Sequence, residues 1–449
     1  MSDPLTALLQ IISTQTTVLQ TAYSKADSSV PSINTPFQPT PLEFDPRVTE
    51  ARHLIVAAAT QLIATVQSPI EFLQAQAGGM FDTVIVGFII DVNVPEILRE
   101  AGPEGLHVDD LSTATGVDAS YLARVLRYLA TRHIFKETSP NVFAHNRPSS
   151  LLTKAKSIKE IQKTPTARFD NAPIAAYLHL GSDELLTSST AFSSFLKNPK
   201  QAAAPFNVAY NTPKKMWDWF EEDELRSRRF TAAMKNSADA MFRPEIFTSG
   251  INGDALNPDD VVVDVGGNIG PVTLTLYKAF PKLRYIVQDL GQQVVAGEKF
   301  WNEKAPQALK SGRVQLQAHD FFTPQPIKDA AIYMLRLIIH DWCDEDAKKI
   351  LSQLRSAAGS QSKLILFEML AKHVSENPTD GTLSAPYPLL PNLGVAKAGF
   401  FTTLDMSLLT MYNGKERTYE EYAQLGKESG WKLEEVKPGK ICALVFSPI

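Results

Sequence analysis

From Asp260 to the end, the sequence alternates short runs rich in Val, Ile and Leu with stretches long enough for a helix: DVVVDVGG, LRYIVQDL, VQLQAHDFF, AAIYMLRLI, SKLILFEML and EVKPGKICALVF. A strand that reads as an almost continuous apolar run is buried on both faces, and a helix-length connection returns each strand parallel to the last. The pattern predicts an α/β fold with a parallel sheet covered on both faces. In such sheets ligands bind outside the carboxyl ends of the strands, which is where the polar residues of interest fall.

A chain of 449 residues is too long for one ordinary core. Residues 1–47 read as a helix and a Pro/Ser/Thr-rich linker, 48–225 as a mostly helical domain, and 226–449 as the α/β domain. Helical periodicity resumes from Pro46 to about Gln76. The apolar stretch Phe81–Ile90 is too short for a bilayer, which needs about 20 residues, and the N-terminus has no basic region before its apolar residues, so no membrane partner is expected. A formal charge of −5 supplies no basic field for phosphate, so no nucleic acid is expected. With only Cys343 and Cys442, neither a disulfide framework nor a cysteine-rich zinc site can form, and a reducing, cytoplasmic setting fits.

Between Val94 and Arg147 the order is two short helices and two β-like runs around Ser-Pro-Asn, a winged-helix pattern. Asp109 or Asp110 can cap the first helix and Asp118 the second, which carries an apolar stripe of Leu122, Val125, Leu126 and Leu129. That second helix shows only Arg124, Arg127 and Arg132, so the module reads as a packing and dimerisation unit rather than a DNA reader. The aromatic group Trp217, Trp219, Phe220 and Phe230, with Met234, reads as core.

The segment VVVDVGGNIG runs from an apolar strand into a glycine turn and a helix opening at Pro271. Its glycines stand at 266, 267 and 270, and Val265 occupies the place of the first Gly of G-x-G-x-x-G, which argues against a dinucleotide. Gly266 and its neighbours let backbone approach a ligand, and the free N–H groups of the helix suit a carboxylate, as in the methionine end of S-adenosylmethionine. Asp289 ends the next strand, placed to accept ribose hydroxyls. Asp320 ends a third and can accept from an adenine amino group, with Phe321 covering the ring. His340 follows the apolar strand of MLRLIIHDW and is a natural base for an acidic hydroxyl. Glu368, which ends LILFE, and Glu416, in NGKERT, are carboxylates that can fix its ring.

Together DVGGNIG, VQDL, AHDFF, LRLIIHDWCDE, LFE and NGKERT resemble the class I, cation-independent O-methyltransferases of the caffeate and hydroxyindole type, in order and spacing, over roughly residues 90–449. The resemblance implies a Rossmann-like S-adenosylmethionine-binding domain behind an N-terminal winged-helix dimerisation domain, working as a homodimer. It implies His340 as catalytic base flanked by Glu368 and Glu416. Gly266, Asp289, Asp320 and Arg336 would contact S-adenosylmethionine, Trp342 would be structural, and no metal would be needed. The additions before residue 48 and at His373–Phe400 are similar to the fungal secondary-metabolite branch, which implies a small hydroxylated substrate, a phenol or polyketide-like enol. The rival readings are a pericyclase or dehydratase that binds the same cofactor without methyl transfer, and a winged-helix regulator. Retention of His340, Asp341 and both glutamates favours methyl transfer.

Overall fold

The computed structural model describes residues 3–241, 244–375 and 385–449, without the side chains of 236–241. Two compact units emerge, one containing residues up to 240 together with 385–400, the other 244–373 with 401–449. The boundary therefore lies within the helix Glu224–Met241, where the sequence reading put it at 225/226: helical periodicity runs unbroken through that position.

The first unit opens with α1 (Pro4–Lys25), capped by Asp3, whose carboxylate accepts from Thr6 N. Next come α2 (Pro46–Val66) and α3 (Pro69–Asp91). The helix expected to reach Gln76 stops at Val66, because Pro69 disfavours helical backbone at Ser68 and starts a new helix at its own first turn. The apolar run at Phe81–Ile90 thereby joins a 23-residue helix that is long and apolar enough, by length and composition, to cross a membrane. This differs from the shorter span read off the sequence.

α1 and the N-terminal extension are not a separate appendage. Leu8 packs with Leu54, Ala57 and Ala58 of α2 and with Leu389 and Leu393 from the far end of the chain. Gln61 Nε2 donates to Pro388 O at 2.8 Å. The second half of the His373–Phe400 addition thus docks on the N-terminal addition; residues 376–384 lie outside the described ones.

After α4 (Val94–Ala101), the winged helix forms as read: β1 (Leu106–His107), α5 (Val108–Thr115), α6 (Ala119–Thr131), β2 (Lys136–Ser139) and β3 (Val142–Ala144), with sheet order β1-β3-β2. Asp118 caps α6 through Ser120 N at 2.8 Å. The cap of α5 is His107, whose Nδ1 accepts from Asp109 N, so Asp109 and Asp110 sit in the first turn beside the helix dipole instead. Of the group read as core, Phe220 is buried and its ring stacks on Phe230 at 5.1 Å, Trp217, Trp219 and Phe230 are half-buried, and Met234 is exposed because it lies on the outer side of its helix turn.

The second unit holds β4 (Val261–Val265), β5 (Arg284–Asp289), β6 (Val314–Ala318), β7 (Ile332–Arg336), β8 (Lys363–Glu368), β9 (Trp431–Lys437) and β10 (Cys442–Pro448). The order β6-β5-β4-β7-β8-β10-β9 reverses at β4, the topological switch where doubly wound sheets bind ligands. The last predicted strand is two strands, antiparallel to each other and, through β10, to β8. Only residues 438–441 separate them, too few for a parallel crossover, so the chain closes as a hairpin. One apolar layer, including Val262, Val287, Trp301 and Phe367, covers one face. A second, including Val263, Leu335, Leu351 and Trp431, covers the other.

Burial of Leu8 at the junction of the two additions gives a test. Leu8→Ala costs such a site about 3 kcal/mol. Hydrogen exchange should quicken about a hundredfold in α1 and at Leu389–Leu393, with β4–β8 unchanged.

Candidate active site

The glycine turn is built for close approach. Gly266 N and Gly267 N both donate to Gln288 O, at 2.9 and 3.0 Å, folding the turn onto the end of β5. Gly266 adopts φ +69°, and a Cβ there would meet Ile338 Cδ1 at 2.8 Å. A Cβ at Gly267 would meet the Asp264 carboxylate at 2.6 Å. Asp264 is buried beneath the turn and accepts from Thr273 Oγ1 at 2.6 Å; burial pushes its carboxyl up to about 6. The helix Pro271–Ala279 follows with its N-terminus at this turn.

Asp289 lies beside it. Its Oδ2 accepts from Asn268 N at 2.7 Å and Oδ1 from Leu290 N at 2.8 Å, while burial raises its pKa. A carboxylate oxygen accepts more than one hydrogen bond, so both oxygens keep capacity for a diol. Asp320 lies two residues past the end of β6, where the sequence reading had the strand run on to it, and is exposed; its Oδ1 accepts from Phe322 N at 3.0 Å. Phe321 packs against Phe322 and Trp342. It comes within 3.7 Å of the Cβ position of Gly266, so ring and turn border one another. Turn, helix terminus, diol-accepting carboxylate and aromatic wall together fit a nucleoside carrying an amino-acid tail.

His340 stands one strand further along. Past β7 the chain turns at Leu337, φ +50°, an unusual conformation for a residue with a side chain, held by Leu337 N donating to Phe367 O at 3.0 Å. A short 3-10 turn, Ile339–Asp341, then carries the imidazole. Nδ1 lies 2.7 Å from Glu416 Oε1, and Nε2 lies 3.4 Å from Asp341 Oδ1. Burial alone would lower the imidazole pKa, but Asp341, Glu368 and Glu416 outweigh it and raise it to about 10.

Glu368 takes a different role from the one read off the sequence. Its Oε1 accepts from Ile338 N at 3.1 Å and Ile339 N at 2.8 Å, so it holds the turn that carries His340 rather than the ring itself. Burial pushes it up to about 7, opposed by His340. Its Oε2, like Glu416 Oε2, is buried with no hydrogen-bond partner among the described residues. Arg336 ends β7 with its guanidinium 5.7 Å from the Phe247 ring centroid; burial lowers its pKa, and Asp264 and Glu368 offset only part of that. It belongs to the same buried charge cluster.

Four residues of this site were given no role in the sequence reading. Asp341, whose pKa burial raises, is hydrogen-bonded to the buried Tyr412. Arg417, fully buried, donates from Nη1 to Ile339 O at 3.0 Å, from Nη2 to Trp342 O at 2.8 Å and from Nε to Asp344 at 2.8 Å. Asp405 accepts from Glu416 N at 2.8 Å. Asp341 and Arg417 had a signal, being inside the motifs HDW and KERT; Tyr412 and Asp405 had none before the fold placed their helix.

A mostly parallel, doubly wound sheet with a nucleoside-sized edge beside a carboxylate-backed imidazole is a Rossmann-like fold with the makings of a group-transfer site. An O-methyltransferase domain model matches residues 193–432, and an O-methyltransferase dimerisation domain model matches 77–155. An O-methyltransferase of Armillaria gallica is 37% identical over 89% of this chain and 88% of its own length. The chain belongs to the O-methyltransferase family. Among solved structures, the O-methyltransferase NcsB1 from neocarzinostatin biosynthesis, in complex with S-adenosylmethionine and 2-hydroxy-5-methyl naphthoic acid, superposes with TM-score 0.56 at 21% identity, covering 82% of this chain and 96% of its own. A structure titled as a pericyclic reaction enzyme shares the fold at TM-score 0.64 and 19% identity, covering 89% and 94%.

The imidazole's environment sets an observable. Since the carboxylates favour the imidazolium, Glu416→Gln removes one of them and lowers the His340 pKa. Proton NMR of the ring should titrate near 10 in the wild type and at clearly lower pH in Glu416→Gln; an unchanged midpoint would dismiss the ion pair.

Proposed function

We propose that this protein methylates a hydroxyl of a small phenolic or polyketide-like metabolite, with His340 as general base. The observation that supports this most directly is the 2.7 Å contact of Glu416 with Nδ1, which makes Nε2, only 3.4 Å from Asp341 Oδ1 and thus more loosely held, the nitrogen for the acceptor's hydroxyl. S-adenosylmethionine, when bound, supplies an electrophilic methyl on its sulfonium. Gly266 and the N-terminus of Pro271–Ala279 would take its carboxylate end, Asp289 its ribose, and Asp320 with Phe321 its adenine. Arg336 supports this region by balancing Asp264 and Glu368.

The proton is His340's task. It leaves the hydroxyl for Nε2 as the oxygen forms its new bond to carbon, and Glu416 stabilises the imidazolium produced. Only the neutral imidazole can take that proton, and the carboxylates that strengthen it as a base also favour its charged form, so turnover on a phenol, whose pKa is about 10, should rise with pH. An aliphatic hydroxyl, close to water at about 15.7, would be several units too weak an acid. This difference favours phenols and stabilised enols as substrates. Holding both reactants in line, out of water, supplies much of the remaining acceleration.

The assembly reading rests on α3. Ile70, Leu73, Met80, Phe81 and Val84 are exposed large apolar side chains along it. The dimerisation match covers the last three of them. A second copy of the chain is the occupant that suits this face. Phe81→Asp should shift sedimentation from dimer to monomer; a wild type that floats with lipid vesicles would instead assign the face to a membrane.

Turnover decides the chemistry. With S-adenosylmethionine and a panel of phenols and hydroxylated polyketides, the wild type should form S-adenosylhomocysteine together with a methyl ether. His340→Ala should lose about 10²–10⁴ in rate. Binding of the cofactor without acceptor-dependent S-adenosylhomocysteine would favour the non-methylating reading.

A further inference from the structure

Gln288 is a buried polar residue one position before Asp289, and it bonds both the glycine turn and the loop that follows β6. Its carbonyl takes both glycine N–H groups of the 266–267 turn. Its side-chain Nε2 donates to Gln317 Oε1 on β6 at 2.7 Å and to Gln325 Oε1 at 2.8 Å. Gln325, also buried, returns the bond from its own Nε2 to Gln288 Oε1 at 2.8 Å and accepts from Ile327 N at 3.1 Å. The two amides therefore form a closed reciprocal pair.

Gln325 ends the loop that begins with Asp320 and Phe321. That loop is folded by Thr323 N donating to Asp320 O at 2.9 Å and by the Asp320 side chain on Phe322 N. The near end of the loop is tied to β5 through His319 N donating to Asp289 O at 2.9 Å. The far end is tied to the same strand only one residue away, by the amide pair.

We infer that the Gln288–Gln325 amide pair is the positioning device of the cofactor site, fixing the Asp320–Phe321 loop against Asp289 and the glycine turn so that adenine and ribose meet a preformed surface. This rests on the cofactor-site assignment proposed above. Neither glutamine touches the reacting atoms; both act through the residues they hold. Apolar packing would fill the same volume, but a reciprocal amide pair permits one relative position of strand and loop, because any shift leaves buried donors and acceptors unpaired.

The test separates positioning from mere stability. Gln325→Leu keeps the volume and removes the pair. It should raise the Kd for S-adenosylhomocysteine, measured by calorimetry, and the KM for S-adenosylmethionine by about tenfold, the effect expected of one unsatisfied buried amide. The kcat and the acceptor KM should stay within about twofold, since the base and its carboxylates are elsewhere. Gln325→Glu supplies a second readout: a protonated carboxyl both donates and accepts like the amide, so its affinity relative to wild type at the same pH should approach unity at low pH and fall as the carboxyl ionises. Asp289→Asn is the control for the underlying assignment. If Asp289→Asn weakens S-adenosylhomocysteine while Gln325→Leu binds like wild type, the pair is packing and the inference is overturned. If Gln325→Leu lowers kcat with unchanged affinity, it is likewise overturned. If neither variant affects affinity, the cofactor-site assignment itself fails and takes the inference with it.

Discussion

Three carboxylates, two of them buried, around one buried imidazole are the electrostatic demand that organises this end of the sheet. Asp341, Glu368 and Glu416 come from three separate stretches of chain, and bringing like charges together out of water is costly unless cations and donors meet them. The structure meets them with His340 itself, with Arg336 at the end of β7 and with two backbone N–H groups on Glu368. Arg417 ties the surrounding carbonyls into one turn. Parallel β7 and β8 are what allow this: their register sets Arg336 opposite Phe367, so the turn after β7 opens beside Glu368.

The cofactor side follows another logic, that of backbone geometry. Here tight space does the selecting: a side chain at Gly266 would strike Ile338, and one at Gly267 would strike Asp264. The buried Asp264, pushed up to about 6, sits between the two systems, bonded to Thr273 at the helix terminus and sensing the charge of Arg336. Both systems thus meet at one edge of one sheet. That proximity is what lets a donor and an acceptor be held in line.

Much of this was legible in the sequence because it depends on local grammar. Apolar runs ending in Asp289, Arg336 and Glu368 announced strand ends, and in a parallel sheet strand ends share an edge. His340 and Glu416 could be paired through motifs. The use of each carboxylate could not. Whether Glu368 holds the ring or the backbone is decided by a turn at a left-handed Leu337, a conformation that the leucine codon gives no hint of. Tyr412 and Asp405 lie on a helix whose placement depends on contacts distant in sequence. The closing hairpin and the break at Pro69 were in principle readable, since a four-residue gap and an X-Pro step carry definite rules. The docking of 385–398 on α1 and α2 was not, because two segments unlike any motif meet across more than 300 residues.

The fold is shared with proteins of different reaction type, so the fold alone cannot select methyl transfer. What selects it is charge. A pericyclic rearrangement has no proton to remove, whereas here Asp341, Glu368 and Glu416 all favour the imidazolium that proton removal creates. Methyl transfer to a hydroxyl releases one proton per turnover, in a site that must stay dry at that moment. A carboxylate-backed imidazole is chemically suited to take that proton.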